Sequence, residues 1–287
     1  MKIALDTTKY RMPTQDEIDD AKRYIARREQ FGAALQQRID EILSEAAEDV
    51  VRICYAYNVD PKRLYFSDGF NKDMMEEITA VMDDVEDEIL SLIINYSTMA
   101  TDDRSRISML AAWVSLLGKG KKNLRDTLHG YLQKALKDWE AAIAALKYNG
   151  ADISKAVSRL KANLHHVYDM REVKAAFKRW QEFAATYIRS RGVQYGATGI
   201  SNNGSTNVTN MGRITLQMAW IKAQLMDFGE LGAIGYIQMR GSNYLCDICD
   251  AETGFHAGLP ENLNWPHPHC QCYRVPVYKI GDEIILM

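Results

Sequence analysis

Apolar residues recur at helical spacing along most of the chain, with polar punctuation between the runs. Thr14-Gln15-Asp16-Glu17 is a capping-box pattern, in which the Thr14 hydroxyl accepts from the Glu17 amide while Glu17 reaches back. A long helix is expected after it. Leu35, Ile39, Ile42, Ala46, Val50 and Ile53 recur every three or four residues and carry an apolar face to Cys54, read as core, before Asn58 and Pro61 break the pattern. Met75, Ile78, Met82, Val85, Ile89 and Leu92 form a heptad-like seam that needs a facing helix. The opposite face, Asp83, Asp84, Glu86, Asp87 and Glu88, is read as solvated, because no histidine accompanies these carboxylates. Leu128, Leu132, Ala135, Trp139, Ile143 and Leu146 mark another amphipathic helix, stopped by Asn149-Gly150. Asp152 and Asp169 read as the next N-caps, giving two helices that run to about Arg191.

The pattern then changes. Residues 192–212, GVQYGATGISNNGSTNVTNMG, are rich in Gly, Ser, Thr and Asn and lack a periodic apolar signal, which reads as a linker. Beyond it, Ile214, Met218, Ile221, Leu225 and Phe228 give one amphipathic helix ended by Gly229. Strands are expected over Ala233 to Arg240, Tyr273 to Ile280 and Glu283 to Leu286, with Pro276 suited to an edge. The expected fold is mainly α: a helical domain over 1–191, the linker over 192–212, and a small α+β module with a Cys/His knuckle over 213–287.

Charge narrows the function classes. Thirty-five basic and 38 acidic side chains leave a formal charge of −3, without the basic excess that would draw the chain onto nucleic acid or an anionic membrane. The cluster Lys119, Lys121, Lys122 and Arg125, interleaved with Gly118 and Gly120, lacks a Walker pattern and reads as a solvated turn. MKIALDTTKYRMPTQDE carries no secretory signal pattern and no stretch is long and apolar enough for a membrane span, so a cytoplasmic origin is expected.

Four of the five cysteines fall between Cys246 and Cys272, and in a reducing compartment such clustering reads as metal binding before disulfides. Cys246-Asp-Ile-Cys249 is followed by Cys270-Gln-Cys272, with His256, His267 and His269 between the pairs. Zinc takes four Cys or His ligands in a tetrahedron, and a two-residue gap lets one tight turn present both sulfurs to one ion. Pro266 and Pro268 restrict the second half to a preformed irregular turn. The donors expected are Cys246, Cys249, Cys270 and either His267 or Cys272, in a structural zinc site; a reduced, metal-free cluster or a pair of disulfides is the competing reading. A catalytic metal would need a general base, for which Glu252 and Glu261 lack a recognisable spacing. Gly254, Gly258 and Pro260 after the CxxC argue for a loop and against a thioredoxin-like helix start. The zinc-deaminase order, H-x-E before P-C-x-x-C, is reversed here. His165 and His166 are neighbours on an expected helix and do not share a face, so neither they nor His129 read as paired ligands.

From about Arg213 onward, and most clearly in LCDIC, Gly254 and WPHPHCQCYRVPV, the chain resembles the phage Mu protein F-like family of minor head proteins, also called phage head morphogenesis proteins. Cys246 and Cys249 match that family's CxxC, and His267, Pro268, Cys270 and Cys272 match its HPxCxC-like ending. The likeness covers about a quarter of the chain, and its specificity lies in the combination of elements. Where family members often carry an Arg-Thr-Glu-like stretch, this helix reads ITLQMAWIKAQ. The resemblance implies a non-enzymatic minor capsid protein of a tailed bacteriophage or prophage. Such a protein acts in head assembly or DNA delivery near the portal, with portal and capsid proteins as partners and packaged DNA only indirectly. It would be found in the host cytoplasm during assembly and then in the virion head. A phage-delivered toxin or nuclease-like effector using His256, His267 or His269 is the alternative from another class, and a cellular helical adaptor with a zinc knuckle is a third.

Overall fold

A computed structural model describes residues 8–61, 72–118, 120, 122–179, 203–243, 245–261, 263, 267 and 269–280. These form eight α-helices and one small four-stranded sheet, so the protein is mainly α with an α+β part towards its C-terminal end. The last part, 180–191, of the second helix expected after Asp152, the linker residues 192–202, the strand at Glu283 to Leu286, Lys119, Lys121, Pro266 and Pro268 lie outside the described residues.

Strand β1 (Tyr10–Arg11) leads into α1 (Gln15–Ala56). The capping box forms: the Glu17 amide donates to Thr14 Oγ1 at 3.3 Å and the Thr14 amide donates to Glu17 Oε2 at 2.7 Å. Leu35, Ile39, Ile42, Ala46, Val50 and Cys54 are buried along one face. Helix α2 (Lys72–Thr98) buries Met74, Ile78, Met82, Val85, Ile89 and Ile93, one residue off the expected seam at each end. The reason is geometric, since a straight helix turns every 3.6 residues and drifts from a 3.5-residue repeat. Its acidic face is not wholly solvated as expected. Glu86 is buried and takes Arg125 Nη1 at 3.0 Å and His129 Nδ1 at 2.8 Å.

Helix α3 (Arg104–Leu116) has only a short buried stripe, Leu110 and Val114, and left no periodic signal long enough to read. Helix α4 (Leu124–Tyr148) buries all six expected positions and ends at the Asn149 cap. Asp152 caps α5 (Ile153–Lys161), accepting from the Lys155 amide at 2.8 Å. Asp169 is not a cap; it falls inside a 3-10 helix (Val167–Asp169) that precedes α6 (Arg171–Arg179). His165 and His166 therefore sit in the turn after α5 rather than on a helix.

Helix α7 (Gly204–Glu230) starts inside the stretch read as linker. Small polar residues there pack and bond instead of solvating the backbone. The Gly204 amide donates to Asp138 Oδ2 at 2.7 Å, Ser205 Oγ accepts from Trp139 Nε1 at 3.1 Å, and Thr209 Oγ1 donates to Asp40 Oδ1 at 2.9 Å. Composition alone cannot distinguish a linker from a polar, closely packed helix start.

After α7 come β2 (Gly235–Met239), the short α8 (Asp247–Glu252), β3 (Gly254–Ala257) and β4 (Tyr273–Lys279). All pairings are antiparallel in the order β1-β4-β2-β3, with Ile237 opposite both Phe255 and Val275. Pro276 is opposite Tyr236, and on the other side β1 reaches only Tyr278 and Lys279, so β4 behaves as an edge where the proline stands.

The chain divides into two compact units. One draws on Met1–Leu35, Ile94–Val114 and Arg213–Met287; the other on Gln36–Ile93 and Ser115–Gly212. One division falls between Gly212 and Arg213, where the C-terminal module was expected to begin, and that unit also takes in two segments of the expected 1–191 domain. The sheet is completed by β1, and Ala21 and Ile25 of α1 cover Tyr273 and Val275 of β4, while Ile221, Leu225 and Phe228 of α7 cover Tyr236. A sheet of such short strands cannot bury its apolar face alone, and the first half of α1 supplies the missing cover.

Candidate metal centre

The two halves of the Cys/His motif meet beside this sheet. Strand β2 ends at Met239, and Arg240 then ties the descending loop to α8: its Nη1 donates to Asp250 Oδ1 and to the Cys246 carbonyl at 3.3 Å. Cys246 is the N-cap residue of α8, so the CxxC opens a short helix rather than lying in the expected loop. Gly254 and Gly258 do not end this helix early; they fall in and after β3. The sheet is antiparallel, so the arrangement is still not a βαβ redox unit.

Gly241 explains how the halves approach. A β-carbon there would overlap the Gln271 carbonyl, so only glycine lets the strand above the CxxC pass against the Cys270–Cys272 segment. The second half is anchored from α7. Gln217, 1% exposed, in the amide orientation that satisfies both its ends, donates to the His267 carbonyl at 3.2 Å and accepts from the His269 amide at 3.3 Å. His269 adopts φ 66°, and the Cys270 amide closes the turn onto the His267 carbonyl at 3.3 Å.

The result is two overlapping triads that share Cys249. Cys246, Cys249 and His267 have their donor atoms within 4.8 Å of one another, and so do Cys249, Cys270 and Cys272. Cys249 Sγ lies 2.9 Å from His267 Nε2 and 3.9 Å from Cys270 Sγ. Zinc–thiolate bonds of ~2.3 Å in a tetrahedron place sulfurs ~3.8 Å apart, close to the second separation. Cys249 and Cys272 are buried and Cys246, His267 and Cys270 half-buried. All five residues expected as donors are thus brought together, and they fit a soft divalent ion. His256 is not among them: it stacks on Tyr236 and its Nε2 lies 2.7 Å from the Glu252 carbonyl. His269 is exposed.

The electrostatics are uneven across the cluster. Burial pushes the Cys249 thiol up to about 12. Cys270 is pushed down to about 5, first by the hydrogen bond from Cys272 and further by the Arg28 charge, while Cys272, as that donor, is pushed up. Arg28 comes from α1, is 1% exposed, and donates from Nη2 to the Cys270 carbonyl and to Glu29 Oε1 at 3.1 Å. Sequence reading missed Arg28 and Gln217, which lie far from the motif; the one local signal for Arg28 was its place three residues after Ile25, on the face that α1 buries. Arg240 was expected as the last residue of a strand, which ends instead at Met239, and Gly241 was not singled out.

Fold and site together define a mainly helical protein with a small antiparallel sheet and a five-donor Cys/His cluster that could hold a metal ion. Compared with protein-family models, curated proteins and solved structures, the chain has no match in any of the three.

Proposed function

We propose that the chain is a non-enzymatic minor head protein of a tailed bacteriophage or prophage, with a knuckle held rigid by one structural zinc ion. The observation that supports the reading is the convergence on Cys249 of the same residues that carry the resemblance, Cys246, Cys249, His267, Cys270 and Cys272. Among the described residues, two strand residues and part of one long helix reach this sheet from outside the C-terminal segment, so a bound ion would replace core that so small a layer lacks. The helical surfaces then serve docking on portal or capsid proteins. The effector alternative gains nothing from its histidines, since His256 is engaged with Tyr236 and a backbone carbonyl and His269 is exposed.

Two measurements test the proposal. Purified protein should carry about one zinc per chain, lost in Cys249→Ser. Mass spectrometry of particles from a host carrying the gene in its phage context should find the chain in heads at low copy. A fully folded metal-free wild type defeats the zinc part, and absence from both procapsids and virions defeats the head-protein part.

A further inference from the structure

Within the compact unit that holds the sheet, a groove of about 410 Å³ runs between the first turns of α1, the last turns of α7 and β4. Its polar lining is mostly acceptor: the carboxylates of Glu17, Asp20 and Asp227 and the amide of Gln224. Its apolar walls include Tyr24, Phe228 and Tyr278. Rings beside carboxylates attract a guanidinium or an ammonium. The rim uses this chemistry once already, since Arg11 pairs with Glu17 and lies over the Tyr278 ring at 5.1 Å.

The other two carboxylates are less well satisfied. Asp20 holds Arg23 in a pair whose side chains are 69% and 70% exposed, which solvent screens and another cation can replace. Arg106 serves three carboxylates at once, Asp103, Asp227 and Glu230, and burial holds the Asp227 carboxyl above its ordinary value even so. Arg274 does not make up the difference. Its guanidinium lies over the Tyr236 ring at 5.6 Å, and among the described residues it forms no ion pair with any of the three. Gln224 is a second, independent sign: it is 5% exposed, its Nε2 reaches the Arg274 carbonyl at 3.4 Å, and its Oε1 is buried without a hydrogen-bond partner. A buried amide oxygen left unpaired is costly, and a donor arriving in the groove satisfies it.

We propose that this groove docks an arginine side chain of a partner protein, with Asp20 and Asp227 receiving the guanidinium, Gln224 Oε1 accepting one of its N–H groups and the aromatic walls covering its methylene chain. Five N–H donors in a planar fork suit acceptors that arrive from two different helices, and the flat ion stacks on rings. A bare metal ion would leave the rings unused, and a space of about 410 Å³ is far larger than it needs. The inference goes beyond the head-protein reading and does not depend on the zinc site, because no donor of the Cys/His cluster lines the groove.

The probe is the peptide acetyl-Gly-Gly-Arg-Gly-Gly-amide, titrated into the full chain at low ionic strength with its dissociation constant read by NMR. The same peptide with citrulline, which keeps the shape and loses the charge, should bind at least about 10-fold more weakly. Asp227→Asn, which leaves Arg106 its pairs with Asp103 and Glu230, should weaken the arginine peptide by about 10- to 100-fold, and Asp20→Asn should weaken it less. Gln224→Met keeps the volume and removes the unpaired oxygen, so it should weaken binding without lowering the thermal unfolding midpoint, a combination that a merely structural role would not give. Asp16→Asn, next to Glu17 on α1 but outside the groove, should bind as the wild type does. Equal binding of the arginine and citrulline peptides, or wild-type constants in both Asp227→Asn and Gln224→Met, overturns the proposal. Agmatine, a free guanidinium on a butyl chain, separates a side chain from a small cation: agmatine bound where the peptide is not overturns the protein partner, and binding of neither overturns the site. If Asp227→Asn does not fold, Gln224→Met and Asp20→Asn decide.

Discussion

Asp138 gives the sharpest stability prediction. It sits in α4 with no exposure, and its two oxygens hold two other elements: Oδ2 accepts the Gly204 amide at 2.7 Å and Oδ1 accepts the Tyr168 hydroxyl at 2.7 Å. The first bond caps α7 at its positive end, where a carboxylate is favoured by the helix dipole as well as by the free amide. Hydrogen bonds to a charged group contribute about 1.5–3 kcal/mol each, and removal leaves the buried partners unsatisfied. Two such bonds, reduced by the relief of a buried charge, make the expected loss in Asp138→Ala about 3–4 kcal/mol. Tyr168→Phe removes one bond and should cost about 1–2 kcal/mol. The two effects should not add, because the tyrosine bond is already gone in Asp138→Ala. Urea unfolding of the wild type, both single variants and the double variant measures the cycle. A loss below about 1 kcal/mol in Asp138→Ala, or full additivity with Tyr168→Phe, would refute the capping role.

Two further outcomes follow from particular contacts. Gly241→Ala removes no donor, yet should lower zinc content per chain by pushing the CxxC loop away from Gln271, and unchanged metal content by elemental analysis would show that the close approach is not needed. Glu172 takes Arg159 at 3.1 and 2.9 Å, and that hydrogen bond holds its carboxyl below the ordinary value of 4.5. A depressed folded value means the stabilisation is present above the unfolded value and is lost as pH falls through the folded one. Because Arg159 is 39% exposed, Arg159→Gln should cost only about 0.5–1 kcal/mol near neutral pH, and the difference from wild type should vanish towards about pH 3. Urea midpoints that stay equally far apart at both pH values would contradict the pairing.

The parts of the fold that were legible share one property: their signal is local. The Thr14–Glu17 box, the apolar faces of α1 and α4 and the Asp152 cap depend on residues within a few turns of each other, and each formed where its pattern stood. The five clustered donors were legible for a similar reason, because metal chemistry restricts both residue type and spacing. What escaped depends on distant partners. The sequence Tyr10-Arg11 is too short to announce a strand, and it becomes one only because β4 offers Tyr278 and Lys279. Residues 204–212 look like linker because Gly, Ser, Thr and Asn avoid helices when exposed, but Asp138, Trp139 and Asp40 supply the bonds that make a helix of them.

Arg28 joins these two kinds of information. In α1 it lies on a face that periodicity assigns to the core, four positions before Gly32 and three after Ile25, and an arginine at such a position reads as a flaw in the pattern. A flaw of this kind persists only where something compensates it, and the carboxylate of Glu29 is shared with Arg213. The misfit in the N-terminal helix and the cysteine spacing near the other end are thus two marks of one arrangement: the helix buries a positive charge where the cluster would place a negative one. Either mark alone is ambiguous, since buried arginines serve many folds and clustered cysteines can stay reduced and metal-free. Their coincidence at the Cys270 carbonyl ties the cysteine cluster to α1.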